Sequence, residues 1–330
     1  MNERGVSATG VGYGVAAGLC WGVIFLAPAL VPDLSGAQFA VLRFLCYGGV
    51  SLVLLLPRWQ RLRGQLTRTD KRRLFWLSLI GNLGYYTLVG AGVQQAGIAA
   101  TTLIVGLIPL LVALAGRTDA GAVGVERLWP SLACALLGVG LISYEALTVT
   151  ASGTRPALGL LCAGGALLAW SWFAVANTRH LAVTAIGSHD WALLLGAVTG
   201  LQALLAAPFL LGPELPVRAP QDWLQPLLVA AGVALLASVV GGFCWNQASR
   251  RLPLTLSGQV IVIETLSSLL YGFLWQWRLP TLLEALAIGL LIVGVVWCLR
   301  CHQQPAPVLV QTGASGQQRR PRTAGRSRSG

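Results

Sequence analysis

Residues 11–31 read VGYGVAAGLCWGVIFLAPALV, a run with no charged side chain. A bilayer's hydrocarbon core is ~30 Å thick and needs about 20 apolar residues of helix to cross it, so this stretch alone makes a membrane span. It is followed at once by a second apolar run and has no small-residue cleavage site after it. We therefore read it as a retained helix and not as a cleaved signal.

Working outward, apolar runs recur at 37–56, 75–94, 97–116, 129–147, 157–178, 190–211, 223–247, 253–274 and 280–299. The breaks between them carry turn chemistry: Pro32-Asp33, Gly212-Pro213, Leu252-Pro253 and Leu279-Pro280. Proline is tolerated there because the first helical turn has no amide partner to lose. Composition agrees, since 55% of the residues are hydrophobic and only 10% charged, with a mean hydropathy of +0.70. A soluble chain spends about a quarter of its residues on charge. The expected fold is an all-α integral membrane protein of ten transmembrane helices.

The formal net charge of +12 comes mostly from arginine, and its distribution reports topology. One set of alternate connections holds Arg4, the basic residues Arg58, Arg61, Arg63, Arg68, Lys71, Arg72 and Arg73, then Arg117, Arg127, Arg179, Arg250, Arg251, Arg300 and the arginines of the C-terminal tail. The other set holds only Arg155, Arg218 and Arg278. By the positive-inside rule both termini are cytoplasmic, and the expected address is the cell membrane, specifically a bacterial inner membrane. Residues 1–10 form a short cytoplasmic N-terminus. Residues 300–330, rich in Gln, Pro, Gly, Ser and Arg, read as a disordered basic cytoplasmic tail. Weak attraction to anionic membrane lipid and simple topology-fixing are both open for that tail. Nucleic acid is excluded as a partner, because the basic residues are not interleaved with aromatics and form no binding motif.

The two halves echo each other. Ala17-Gly18-Leu19-Cys20-Trp21 recurs loosely as Ala166-Leu167-Leu168-Ala169-Trp170. Gly92-Val93-Gln94-Gln95-Ala96 parallels Cys244-Trp245-Asn246-Gln247-Ala248, and residues 136–141 parallel 288–295. Each half, 11–147 and 157–299, then holds five spans. Because five is odd, the second copy inserts upside down, a recurrent design of secondary transporters.

At this point the chain resembles the ten-helix EamA-type members of the drug/metabolite transporter superfamily over roughly residues 10–300. The resemblance rests on Trp21, Arg43-Phe44, Pro109, Glu126-Arg127-Leu128 followed by Gly138-Val139, Trp170 and Ile263-Glu264, in that order and spacing. It departs from the family in reading Glu264-Thr265 where Glu-Pro is usual, and in an apparent insertion over Arg117–Gly124. The resemblance implies an exporter or exchanger of a small amphipathic metabolite, an amino acid or a related compound, working by alternating access. A non-transporting membrane scaffold or sensor and a membrane-embedded enzyme are the competing readings.

Glu264 is the acid deepest in a predicted span, about 11 residues or ~16 Å beyond Pro253. A charge there costs ~2.5–3.5 kcal/mol on insertion scales, so it is usually partnered or functional. Proton coupling, recognition of a substrate ammonium and hydrogen-bonded packing all remain open, and passive exchange competes with proton coupling. Ser257, Ser267, Ser268, Tyr271 and Trp275 share its helical face, which makes Ser268 and Tyr271 candidates with it. Arg43, about six residues into the second span, either binds a substrate carboxylate or snorkels. Trp21, Trp170, Asn177, Tyr86 and Trp245 are candidate cavity walls, offering rings with a polar handle. Trp129, Trp191, Trp223 and Trp277 lie near span ends and read as interfacial belt.

No enzyme constellation is expected, since the histidines at 180, 189 and 302 fall in predicted loops or the tail. Nor is there a phosphate-cradling glycine loop followed by lysine. The seven cysteines are odd in number and scattered, so neither a disulfide framework nor a metal or other cofactor is expected.

Overall fold

A computed structural model describes residues 8–115, 125–148, 155–181, 183–211, 219–251 and 254–303. The N-terminal residues 1–7, the Arg117–Gly124 insertion and the tail from residue 304 lie outside the described residues. All regular structure among the described residues is helical. Six helices are long and apolar enough to cross a membrane: Ala8–Leu30, Gly36–Arg63, Arg68–Ala96, Pro156–Leu181, Ser188–Leu210 and Gln221–Trp245. Shorter apolar helices run over Ile98–Val112, Val262–Trp275 and Leu282–Trp297.

In finer detail the elements are α1 (Ala8–Leu30), α2 (Gly36–Leu55), α3 (Trp59–Arg63) and α4 (Arg68–Trp76). A π-helical segment, Leu77–Gly84, leads into α5 (Tyr85–Ala96), then α6 (Ile98–Val105) and α7 (Ile108–Ala115). Next come α8 (Val125–Thr148), α9 (Pro156–Leu181), α10 (Ser188–Leu210) and α11 (Leu224–Val233). A second π-helical segment, Ala234–Gly241, precedes α12 (Gly242–Arg251), and α13 (Leu254–Trp275) and α14 (Leu282–Gln303) complete the chain. The last helix therefore continues to Gln303, past the boundary at 300 expected for the tail.

Local chemistry sets the ends. Ser35 caps α2 and Thr67 caps α4, each in a reciprocal box with the side chain three residues on, Gln38 and Asp70. Gly97, at φ +89°, separates α5 from α6 in a conformation that favours glycine. Pro109 is the second residue of α7, where a missing amide costs no helical bond.

The helices pack chiefly as α2 on α10, α1 on α13, α8 on α14 and α5 on α9, with α1 also lying along the second π segment and α12. Small residues make the closest of these contacts possible. A Cβ at Gly18 would fall 3.0 Å from the backbone nitrogen of Glu264, and one at Gly22 would fall 2.7 Å from Ser267 Cβ. Without side chains at these two positions, α1 lies directly against α13. The largest buried cluster gathers Phe25, Phe39, Tyr85, Val89, Ile108 and Trp170 from both halves of the chain.

Candidate functional site

Helices from both halves of the sequence converge on a cavity of about 100 Å³. α1 contributes Trp21 and Ile24, α2 Arg43 and Tyr47, and the first π segment with α5 Asn82 and Tyr86. The second half contributes Trp170, Phe173 and Asn177 from α9, Trp191 from α10, Ser238 from the second π segment, Trp245 from α12 and Glu264 from α13. A second space of about 270 Å³ shares Tyr47, Ala192 and Ser238 with the first. It is lined as well by Ser188, His189 and Gln247, near the ends of α10 and α12.

The aromatic wall is mutually supporting. The Trp21 ring lies 6.0 Å from Trp170 edge-on and 5.3 Å from Trp245, and Trp170 lies 6.4 Å from Trp245. These are favourable aromatic separations, and the Trp21 indole donates from Nε1 to the Ala237 carbonyl at 2.9 Å. The next residue, Ser238, accepts from Arg43 Nη2 at 3.0 Å. One π-helical segment thus holds both α1 and α2, and such irregular turns tend to persist where function uses them.

Arg43 is only 2% exposed. Its guanidinium carbon sits 3.6 Å from the centre of the Tyr86 ring and 5.2 Å from that of Phe44, so its charge is met by ring faces and a hydroxyl. Its Nε has no hydrogen-bond partner, and no carboxylate pairs with it among the described residues. Glu264 is 6% exposed on an unbroken helix, and no described side chain donates to its carboxylate. A desolvated cation and a desolvated acid therefore line one cavity, neither of them in an ion pair with a described residue. Buried ionisable groups without a counter-charge are costly, and a bound zwitterion would supply one to each.

Other sequence-derived candidates fall elsewhere. Ser268 is fully buried and donates to the Glu264 carbonyl at 2.7 Å, as Ser267 does to Ile263. Tyr271 reaches the Leu19 carbonyl at 3.4 Å, bracing α13 on α1. Of the polar stripe expected on α13, Glu264 is the member that lines the cavity. The side chain of Ser257 lies outside the described residues. Trp21, Arg43, Tyr86, Trp170, Asn177 and Trp245 do meet around the cavity.

The sequence misplaced Trp191 and all three histidines, His189 falling in the first turn of α10 and His302 in the last turn of α14, and it overlooked other residues. Trp191 is not interfacial: it is 1% exposed, donates to Asn177 Oδ1 at 2.9 Å and lines the cavity. His180 is not in a loop. It ends α9, buried, its ring 4.6 Å from that of Trp191 and its Nε2 2.8 Å from Asp70 Oδ1. Asp70 also accepts from Thr67 and Thr184, so the cavity connects through Trp191 and His180 to a buried carboxylate on α4. Nearby, Asp190 on α10 binds Arg58 at 2.8 Å and Arg61 at 2.6 Å. Tyr47, which donates to the Ala192 carbonyl, and Asn82, which donates to Thr199, were likewise unremarked. Their only sequence cue was polarity within an apolar run.

At the other end of α13, Arg278 binds Glu284 through two contacts of 2.6 Å. That hydrogen bonding raises the Arg278 pKa further above its usual value. Thr281 donates to Glu145 at 2.6 Å, tying α8 to the same corner. Trp277 is 94% exposed and Trp129 is also exposed, whereas Trp223, expected in the same belt, is half-buried against the largest cluster.

The sequence is 32% identical over 312 residues to the inner membrane protein YtfF of Escherichia coli (strain K12), covering 90% of this chain and 96% of that protein. A protein of known crystal structure shares the fold at 20% sequence identity and a TM-score of 0.58, over 91% of this chain and 100% of its own. No protein-family model matches the sequence.

Proposed function

The chain belongs to the inner membrane protein family that includes YtfF, and from that premise we propose that it is a secondary transporter of ten spans in two inverted five-helix repeats. The cargo is a small zwitterionic metabolite of the amino-acid class, carried by alternating access, with no chemical conversion and no cofactor. The observation that carries this reading is the pair of buried opposite charges, Arg43 and Glu264, lining one aromatic-walled cavity.

The repeat is supported by contacts between corresponding residues. At an offset of 152 positions, residues 92 and 136 correspond to 244 and 288. The same offset relates Gly48 to Gly200 and Gly138 to Leu290, and both pairs are in contact. Trp21 and Trp170, corresponding more loosely, also meet. Residues that touch their own images are what a two-fold axis between repeats requires. Two π-helical segments, Leu77–Gly84 and Ala234–Gly241, occupy the third span of each half.

In this reading Arg43 receives the carboxylate of the cargo and Glu264 its ammonium, while Trp21, Trp170 and Trp245 enclose the apolar part. The cavity and its neighbouring space, about 100 and 270 Å³, together fall just inside the lower end of known ligand sites, ~300 Å³. The His189 and Gln247 end of the neighbouring space lies toward the basic connections, which supports loading from the cytoplasm in this reading. When the cavity is empty, Glu264 is free to hold a proton instead of an ammonium, which provides a route to proton exchange.

Counterflow in proteoliposomes tests the proposal: vesicles preloaded with a mixture of amino acids should accumulate one labelled amino acid. Glu264→Gln should abolish accumulation driven by a pH gradient. No counterflow with any zwitterion, by a protein that melts cooperatively, would reject the transporter reading.

A further inference from the structure

A groove of about 720 Å³ runs down the outside of the α2–α10 pair, away from the cavity. We propose that it binds one anionic glycerophospholipid, with an acyl chain in the groove and the headgroup at Lys71. The site depends only on the chain residing in a membrane, and not on what the cavity carries.

The groove follows a close-packed helix pair. Gly48 and Gly200 bring α2 and α10 together, and toward the basic connection at 57–73 they stay in contact through Ser51 and Gly196 and through Arg58 and Asp190, so the groove lies on the outer face of their seam. Leu52, Leu56 and Trp59 form one wall, Leu201 and Leu204 the other, and all five are exposed. From Leu45 to Leu56 the wall rises ~16 Å, about the depth of one leaflet. An acyl chain has that length and chemistry.

The polar end selects the headgroup. Lys71, the sole lysine of the chain, lines the groove where α4 meets it. The 57–73 connection carries seven basic residues and one acid, Asp70, which is buried against His180. Asp190, the other acid close by, is bound by Arg58 and Arg61. Among the described residues no carboxylate is paired with Lys71, and a phosphodiester would answer it. A second copy of the chain fits poorly, because a two-fold contact here would set two such basic connections side by side.

The test is native mass spectrometry and melting of detergent-purified protein titrated with dioleoylphosphatidylglycerol or dioleoylphosphatidylcholine. The wild type should retain one phosphatidylglycerol and gain more stability from it than from phosphatidylcholine. Lys71→Gln should weaken phosphatidylglycerol roughly fivefold, the value of one basic residue at a membrane surface, and bring it to the level of phosphatidylcholine. Gly49 lines the groove and a Cβ there meets nothing within 4 Å, so Gly49→Leu should fold and displace both lipids. Arg63→Gln, which alters the same connection outside the groove, should leave the preference intact. Equal retention of the two lipids by wild type overturns the proposal. So does an equal loss in Arg63→Gln, which would mean diffuse surface attraction. Efficient disulfide cross-linking of Gly49→Cys between two copies, in a background without the native cysteines, would show that a second chain covers the groove.

Discussion

Gly48 and Gly200 touch through backbone alone: a Cβ on either would lie 2.5 Å from the other's Cα. Real side-chain carbons do not approach so closely, so Gly48→Ala or Gly200→Ala must push α2 and α10 apart. We expect a loss of ~1–3 kcal/mol, as for overpacked cores. Gly49→Ala, with open space around its Cβ, should melt at or slightly above the wild-type temperature. Melting in detergent checks all three.

Trp21→Phe preserves the ring contacts with Trp170 and Trp245 but removes the donor to the Ala237 carbonyl. Depriving the buried Ala237 carbonyl of this donor should cost ~1–3 kcal/mol. A Trp21→Phe protein as stable as wild type would show that this bond does not hold the π segment against α1.

The buried Asp70 gathers donors from Thr67, Thr184 and His180. His180→Phe leaves the threonine donors in place and keeps a ring against Trp191, so we expect a loss of ~1–3 kcal/mol. Asp70→Ala strands every donor and removes one half of the box that caps α4, and should cost more, roughly 3 kcal/mol or above. The reverse order in chemical or thermal unfolding would contradict the network.

Much of this was legible in the sequence because bilayer thickness forces long apolar runs, and such runs need no tertiary information to be recognised. Trp21 and Trp170 were legible for a similar reason, each standing in a recurring small-residue context. Trp191 was not, because its place near a span end suits an interfacial residue equally well, and its actual partner, Asn177, lies on another helix. His180 was hidden because the predicted span ended at 178, two residues short of it. The stripe on α13 misled in the opposite direction. Ser267 and Ser268 share the face of Glu264, but a serine inside a helix can bond the carbonyl four residues back, and both do.

That difference is itself testable by thiol labelling in a cysteine-free background. Ser238→Cys lies on both the cavity and its neighbouring space and should react with small aqueous reagents. Ser268→Cys, fully buried and bonded within its own helix, should remain inert. Equal reaction at the two positions would mean that the water-accessible face of α13 is wider than the cavity described.

The central claim is that Arg43 and Glu264 hold the two charged ends of one zwitterion, and direct binding measurements test it most closely. The ligand is the amino acid that competes best in counterflow, compared with its decarboxylated amine and its deaminated acid. The wild type should bind the zwitterion roughly ten- to a hundredfold more tightly than either analogue, the worth of one desolvated charge-assisted hydrogen bond. Glu264→Gln should erase the advantage over the deaminated acid, and Arg43→Gln the advantage over the amine. Wild-type discrimination in both variants would contradict the account.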